Sequence, residues 1–162
     1  MISLDTPIKA TFRGGLVAEG DYAVTVAEIA DWKPHTKDIM VNVVDTRNRI
    51  VRDDAGKPKK ELSKGYTFYT ADVVLEINGG DFDGAKLYTS LTTHPNASFI
   101  TENFVRAVGL TGVALKDVIS KALDKTLVVT VKHENYDKTT TDPDTGLETV
   151  EVKQKAKVIA FK

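Results

Sequence analysis

The sequence predicts a mostly β, antiparallel fold with two short helices. Alternation of apolar and polar residues, which is typical of strands, recurs on both sides of the middle of the chain. The spacing of an amphipathic helix occurs only between residues 100 and 123. Turn-forming residues separate most of the strand-like segments, and strands that follow one another without a helix between them pair antiparallel.

The first 20 residues are predicted to form an extended N-terminal arm, followed by a single domain over residues 21–162. A chain of 162 residues suits one domain. The first strand is predicted to begin at Asp21, and one of its faces carries Tyr22, Val24 and Val26. The segment Trp32-Lys33-Pro34 is predicted to end this strand, because proline cannot donate a hydrogen bond to a sheet.

Three more strands are predicted before the helices, over residues 38–51, 66–77 and 85–92. The cationic segment 52–60 is rich in turn-forming residues and is predicted to be a mobile hairpin tip. Residues 78–84 are predicted to form a tight turn, because Gly and Asn accept the positive φ angles that such turns require.

Two short amphipathic helices are predicted between the fourth and fifth strands. The first has Asn96 or Ser98 as its N-cap and Gly109 as its end. Its apolar positions are Ile100, Phe104, Ala107 and Val108. The second helix has the same spacing in Leu115, Val118, Ile119, Ala122 and Leu123.

Two further strands are predicted after the helices. The first is indicated by the alternating Leu127, Val129 and Val131, and a polar tip over residues 137–146 separates it from a last strand over residues 147–161. The OB-fold has a similar order, with three strands, a helix and two strands in a barrel. The predicted fold is therefore an OB-fold-like antiparallel β-barrel with extended β-hairpins.

The composition excludes several classes of protein. The chain has no cysteine, which removes disulfide scaffolds, thiolate zinc sites and cysteine nucleophiles. No apolar run approaches the roughly 20 residues that span a bilayer, and the first residues lack the apolar segment of a secretory signal. We therefore expect a cytoplasmic protein. The net charge of −1 also argues against coating nucleic acid by bulk positive charge.

Period-two alternation further predicts which side chains face solvent. In the third strand the core face is predicted to carry Tyr69, Ala71, Val73, Leu75 and Ile77. The solvent-exposed face is predicted to carry Tyr66, Phe68, Thr70 and Asp72. The fourth strand is predicted to point Lys86, Tyr88 and Ser90 outward. The last strand is predicted to bury Val150, Val152, Ala156 and Val158 and to expose Lys153, Lys155 and Lys157.

Exposed aromatic rings beside lysines are typical of single-stranded nucleic-acid binding. Bases stack on such rings, at about 1–3 kcal/mol per base, while cations hold the phosphates. Two other interpretations stay open. The rings of Tyr66, Phe68 and Tyr88 would instead cover a second small core under the N-terminal arm, and lysines on an edge strand would block aggregation between sheets.

Positive charge is concentrated in one segment. Residues 33–64 contain nine cations and five acids, a net charge of +4 within a chain whose total is −1. A cationic hairpin beside a barrel face can follow a phosphate backbone. A solvated loop explains the same charges equally well.

Motifs for catalysis or metal binding are not recognisable. The three histidines, His35, His94 and His133, are too far apart in sequence for a helical metal pair. Residues 142–148 lack the ligand spacing of a calcium loop, and the glycines of residues 79–84 lack the lysine and helix of a phosphate loop. We therefore expect a protein that is not an enzyme and that needs no metal or cofactor.

Three short stretches resemble a family of small phage proteins. Residues 16–24 (LVAEGDYAV) are similar to that family's L-P-E-G-x-Y-x-V entry to the first strand. Residues 80–88 (GDFDGAKLY) are similar to its G-x-(Y/F)-x-G-(K/R)-x-(L/I)-(W/F/Y) turn, with the cation displaced by one position. Residues 106–109 (RAVG) resemble the end of its helix. The family is regarded as OB-fold single-stranded-DNA-binding proteins encoded beside replication and recombination genes.

The resemblance implies a protein that binds single-stranded DNA with little sequence preference during phage replication or recombination. It implies a location in the cytoplasm of an infected host, phage replication or recombination proteins as partners, and no membrane; a homodimer is compatible with it. The alternative is a structural or interaction protein, either a virion accessory protein or an oligomeric β-barrel. The residues expected to bind DNA are Trp32, Lys33, Lys37, Arg47, Arg49, Arg52, Lys57, Lys59, Lys60, Tyr66, Phe68, Lys86, Tyr88, Lys153 and Lys155.

Overall fold

The computed structural model describes residues 15–162 and contains six strands and two helices. The elements are β1 (Gly20–Ile29), β2 (Lys33–Asn42), β3 (Lys60–Ile77), β4 (Lys86–Thr92), α1 (Ser98–Ala107), α2 (Leu115–Ala122), β5 (Thr126–Thr141) and β6 (Glu148–Phe161). Most of the N-terminal arm predicted over residues 1–20 lies outside the described residues.

All six strands belong to one antiparallel sheet, as the sequence predicts. The path through the sheet is β2-β3-β1-β5-β6, and β4 pairs with β3. Strand β1 is central, since it pairs with β3 on one side and with β5 on the other.

Strand β3 is long because it serves two sets of partners. At Thr70 it is flanked by Lys33 of β2 and by Thr92 of β4, so β2 and β4 lie on opposite edges of β3. At Val73 it is flanked by Ile29 of β1 on the edge opposite β4. Strands β1 and β2 therefore follow one another along the same edge of β3.

The core lies between one face of the sheet and the two helices. Alternate residues of β1, β3 and β5 are buried there, including Val24, Leu75 and Val129. Phe104 of α1 and Val118 of α2 are fully buried in the same cluster. The two helices and the core face of the second half of β3 are therefore predicted correctly from the sequence. Of the apolar stripe predicted for the second helix, however, Leu115 and Leu123 are 40% and 43% exposed.

The end of α1 is predicted correctly, but its N-cap is not. Gly109 has φ +73°, and its amide donates a hydrogen bond to the Arg106 carbonyl. The Leu110 amide donates to the Val105 carbonyl, and the two bonds together form a Schellman motif. The helix begins at Ser98, and the residue before it, Ala97, provides no side-chain cap. The Asn96 side chain instead donates to the Met40 carbonyl at 2.7 Å and so ties this segment to β2.

Several strand limits differ from the sequence prediction. The second strand covers residues 33–42 rather than 38–51, and Pro34 lies within it. This position tolerates proline because β2 is an edge strand. The third strand begins at Lys60, and the β5–β6 hairpin is paired to Thr141 and Glu148, so its tip is shorter than predicted.

The predicted burial is wrong at two positions of β3 and two of β6. Phe68 was expected to face solvent and is 7% exposed, whereas Tyr69 was expected in the core and is 43% exposed. Val150 and Val152 were expected in the core and are 60% and 70% exposed. They lie in a part of the β5–β6 hairpin that pairs only within itself, beyond the core.

The sheet is open, so the predicted barrel closure is not found. Within residues 15–162 no hydrogen-bonded pairing joins β4 to β6, although their Cα atoms approach within 8 Å. Four successive antiparallel pairings separate β4 from β6, so the two edge strands run in the same direction. Neither described helix is long and apolar enough to cross a membrane.

Candidate nucleic-acid interface

The sheet register places several of the predicted DNA-binding residues on one face. Directly opposite residues in a sheet share a face, and alternate residues of a strand do so too. Lys33 lies opposite Thr70, Lys37 opposite Tyr66, and Tyr88 opposite Val74. We call the face of β2, β3 and β4 that points away from the core the outer face. Its members include Lys33, His35, Lys37, Tyr66, Phe68, Thr70, Asp72, Lys86, Tyr88 and Ser90.

The aromatic rings of the outer face differ in accessibility. Tyr88 is 72% exposed, and Tyr66 is half-buried. Phe68 is covered, because its ring stacks on His35 at 5.2 Å between centroids and meets His94 edge-on at 5.0 Å. The ammonium group of Lys37 lies 5.5 Å from the same ring. Phe68 therefore holds a small second core together and has no free face for a base.

The two accessible rings stand far apart along β3. Tyr66 belongs to β3 itself, and Tyr88 lies opposite Val74, eight residues further along the strand. At about 3.3 Å per residue this separation is roughly 26 Å. It exceeds the stacking distance of adjacent bases, so the two rings would meet separate parts of a bound strand.

The carboxylate of Asp72 is the acidic group in the middle of the outer face. It accepts a hydrogen bond from Ser90 at 2.6 Å on the neighbouring strand. Lys33 and Lys37 lie on the Tyr66 side of this group, and Lys86 lies on the other side, opposite Glu76. The β2 half of the outer face is therefore the more cationic half.

Beyond β2 and β3 the chain folds into a compact cationic tip over residues 43–59. The main chains of Val43, Val51 and Lys59 are hydrogen-bonded to one another at 2.8–2.9 Å. Asp53 closes one turn by accepting from the amides of Ala55 and Lys57. The segment predicted to be a mobile tip is therefore held by a network of main-chain hydrogen bonds.

The other turn of the cationic tip is closed by Asp45. Its carboxylate accepts hydrogen bonds from the Arg49 and Arg47 amides, both at 2.9 Å, and from the Arg49 guanidinium at 3.1 Å. These bonds, the one from the Arg49 amide most of all, lower the pKa of Asp45 below its ordinary value. The turn therefore favours an ionised aspartate that holds Arg49 beside it.

The remaining cations of the tip, and Lys60 at the start of β3, are exposed to solvent. Arg52 donates to the Gly56 carbonyl at 3.0 Å. Among the described residues Arg47, Lys57, Lys59 and Lys60 form no salt bridge. The tip joins the end of β2 to the start of β3, so it lies next to the cationic half of the outer face.

Three predicted residues lie elsewhere. The Trp32 ring is half-buried against the core, and its indole N–H donates to the Leu115 carbonyl at 2.8 Å, so it anchors the start of α2. Lys155 lies 3.6 Å from Glu134 and over the Tyr136 ring, and Lys153 lies 3.8 Å from Glu151. The structure therefore does not bring these side chains to the outer face.

A groove of about 1110 Å³ lies between the edges of β4 and β6, and we call it the edge groove. Lys86 and Tyr88 border it on the β4 side, and residues 154–161 line it on the β6 side. Phe99 of α1 also lines it and is 58% exposed. Phe99 is not among the residues predicted from the sequence, although its position outside the apolar stripe of α1 marks it as an exposed ring.

The histidines have structural partners. The His133 ring is hydrogen-bonded to the Val17 carbonyl at 2.8 Å, and its amide donates to Glu19. No group of three His, Asp or Glu side chains within residues 15–162 is arranged to hold a metal ion. No protein-family model, curated protein or solved structure matches this chain.

Proposed function

We propose that this protein binds single-stranded DNA with little sequence preference, through the outer face and the cationic tip. The observation that carries the proposal is the sheet register, which sets Lys33, Lys37 and Tyr66 in a row that leads into the tip. Tyr66 and Tyr88 stack bases, and the lysines and arginines hold phosphates. Phe68 acts by supporting the face rather than by stacking.

An OB-fold-like arrangement is part of this proposal. In OB-folds the second and third strands of a partly open barrel carry the nucleic-acid face. Here β1, β3 and β4, followed by the helices and then β5 and β6, match the order of those five strands, and β2 with its tip is an addition. The outer face lies on β3 and β4, the equivalents of the second and third strands.

The role of the rings is tested with a fluorescently labelled oligo-dT and binding measured by anisotropy. Tyr88→Ala and Tyr66→Ala should each weaken binding about 5- to 100-fold, in line with one lost stack. Tyr69→Ala is the matched control, because Tyr69 is an exposed tyrosine of the same strand that points to the opposite face. An equal loss in all three variants would contradict the assignment of the face.

The role of the tip is tested by charge reversal. Replacement of Lys57, Lys59 and Lys60 by Glu should weaken binding and reduce the slope of log affinity against log salt, because fewer counterions are released. Replacement of Lys121, Lys125 and Lys138 by Glu changes the net charge equally and should leave the slope close to that of the unaltered chain. Binding that is absent at low salt, or insensitive to salt, would refute the proposal.

The alternative function, a structural or interaction protein, is favoured by one observation. Leu147, Val150 and Val152 form an apolar end of the β5–β6 hairpin and are 60–70% exposed. Such side chains suit a subunit contact. This alternative predicts an oligomer that persists in high salt and dissociates in Val150→Ser/Val152→Ser, together with no oligo-dT binding.

In the DNA-binding proposal the protein acts in the cytoplasm of an infected bacterial host. Phage replication or recombination proteins would be its protein partners, and its own role would be binding without catalysis. Duplex and RNA probes in the same anisotropy assay measure the preference for single-stranded DNA.

A further inference from the structure

The edge groove is continuous with the outer face. Lys86, Tyr88 and Ser90, which carry the outer face on β4, all line the groove. Its opposite wall is formed by residues 154–161 of β6. A DNA strand that stacks a base on Tyr88 therefore has the groove directly beside it.

The groove has a cationic end and an aromatic end. Strands β4 and β6 run in the same direction, and both run towards α1. Helix α1 follows β4 in the chain, and Phe161 at the end of β6 meets Phe104 of α1 at 5.3 Å between ring centroids. Phe99, in the first turn of α1, therefore lies at this end. Lys86, the first residue of β4, and Lys155 of β6 lie towards the other end.

The charge of the groove is positive. Its lining contains Lys86, Lys155 and Lys157 and one acid, Glu134. The Glu134 carboxylate lies 3.6 Å from the Lys155 ammonium group and 3.3 Å from that of Lys157. Both pairs are exposed to solvent, and exposed ion pairs contribute little to stability. A phosphate group can therefore replace Glu134 as the partner of these lysines, and the net charge of the lining complements a polyanion.

The apolar part of the lining is also exposed. The Phe99 ring is 58% exposed, and Ile159 on the facing strand is 52% exposed. An exposed aromatic ring beside lysines is the arrangement on which bases of a single strand stack. Such a surface suits a ligand that presents both flat apolar faces and negative charges. Single-stranded DNA has both, whereas the bases of a duplex are already stacked on one another.

We propose that the edge groove is a second contact site for the same DNA strand, in which Phe99 stacks a base and Lys155 and Lys157 hold phosphates. The inference rests on the proposed function, because the strand reaches the groove from the outer face across Tyr88. At about 3.3 Å per residue, the β6 wall over residues 154–161 is roughly 23 Å long, which is room for several nucleotides beyond the outer face.

Photo-cross-linking locates the strand directly. An oligo-dT that carries iodouracil at successive positions is irradiated on the full chain, and the modified peptides are identified by mass spectrometry. Adducts are expected at Phe99 as well as at Tyr88. Adducts at Tyr66 and Tyr88 but not at Phe99 would overturn this inference and leave the proposed function intact, whereas failure of the chain to bind oligo-dT would overturn both.

The contribution of the ring is measured by anisotropy with a labelled oligo-dT of about 25 nucleotides, longer than the roughly 4–16 nucleotides of one OB-fold site. Phe99→Ala should weaken binding about 5- to 100-fold, in line with one lost stack. Its midpoint of urea denaturation should stay unchanged, because the ring is exposed. Tyr69→Ala removes an exposed ring outside the groove and should leave the affinity unchanged. Unchanged affinity in Phe99→Ala, or dissociation of an oligomer by this variant without an effect on DNA binding, would overturn the inference.

A variant that should bind more tightly tests the lysines without depending on a loss. Glu134→Gln releases Lys155 and Lys157 from their ion pairs and should strengthen binding about 2- to 5-fold, the range expected for an exposed pair. Glu151→Gln is the matched control. It makes the same change of charge but releases Lys153, which does not line the groove, and should leave the affinity close to that of the unaltered chain. Equal gains in the two variants would indicate a general effect of charge and would overturn the assignment of the groove.

Discussion

Asp45 shows how a single carboxylate organises a cationic loop. It is ionised in the folded chain because the Arg49 and Arg47 amides and the Arg49 side chain donate to it. Folding therefore lowers the pKa of Asp45 below the ordinary aspartate value of about 3.9. The contribution of this group to stability is present above that value and is lost as pH falls through the lower folded pKa.

We expect the Arg47 and Arg49 amide proton shifts to titrate together, with a midpoint below about pH 3.9. Nuclear magnetic resonance titration of the labelled chain measures this midpoint. Asp45→Asn should abolish the transition, and Asp54→Asn, a neutralisation in the next turn, should preserve it. A midpoint at or above the ordinary aspartate value would show that the hydrogen bonds do not persist in solution.

Phe68 and Tyr88 share the outer face and yet have opposite roles. Phe68 lies between two histidine rings and is almost fully buried, whereas Tyr88 is mostly exposed. Phe68→Ala should lower the free energy of unfolding by about 3 kcal/mol, the lower end for a buried phenylalanine, because the site can partly collapse. Tyr88→Ala should change it by less than about 0.5 kcal/mol. Urea denaturation compares the two, and similar losses would contradict the difference in burial.

The end of helix α1 depends on the backbone of one residue. Gly109 has φ +73°, and a Cβ added there would meet nothing within 4 Å. Gly109→Ala should therefore destabilise the protein by about 1 kcal/mol through backbone strain alone. Gly109→Asn should cost less, because Asn accepts this conformation more readily. Equal losses in urea denaturation would point to a steric cause instead.

Strand β6 is divided into a core half and an arm half, although its alternation runs through both. Val158 is 9% exposed, and Val152 is 70% exposed. Val158→Ala should cost about 2 kcal/mol and Val152→Ala less than about 0.5 kcal/mol. The midpoints of urea denaturation measure both, and a large loss at Val152 would show that the arm is covered in solution.

For the whole molecule we expect a gradient of stability from the centre of the sheet to its hairpins. Strand β1 has partners on both sides and buries Val24 and Val26 completely. Residues 137–152 form an exposed hairpin that pairs only within itself. Native-state hydrogen exchange should show the slowest amides in β1, limited by global unfolding, and local opening in the hairpin. Uniform protection would contradict this gradient.

The correct predictions concern whether a segment is a strand or a helix and which of its side chains point to the core. Val24 and Val26 alternate in β1, and Val118 and Ala122 lie on one side of α2, as their spacing predicts. These patterns are local, since the period of the backbone decides which side chains point the same way. The Gly109 end of α1 could be predicted because the acceptance of a positive φ by glycine is also a local property.

The prediction of the candidate site was only partly correct. Alternation places Phe68 on the outer face, but the His94 loop and His35 cover it. The sequence predicts Trp32 and Lys155 at the same site, but in the structure they contact Leu115 and Glu134 instead. Each of these partners lies more than 20 positions away in the chain, beyond the reach of a local pattern.

By itself, the sequence determined that this chain folds mainly into antiparallel strands with two helices and a cationic segment at residues 33–64. Only the tertiary structure decided that β1 and β2 share one edge of β3, that Val152 extends beyond the core, and that β4 and β6 leave a groove between them. The physical reason is that the direction of a side chain is a local property of the backbone. Its burial depends on which distant segment packs against it.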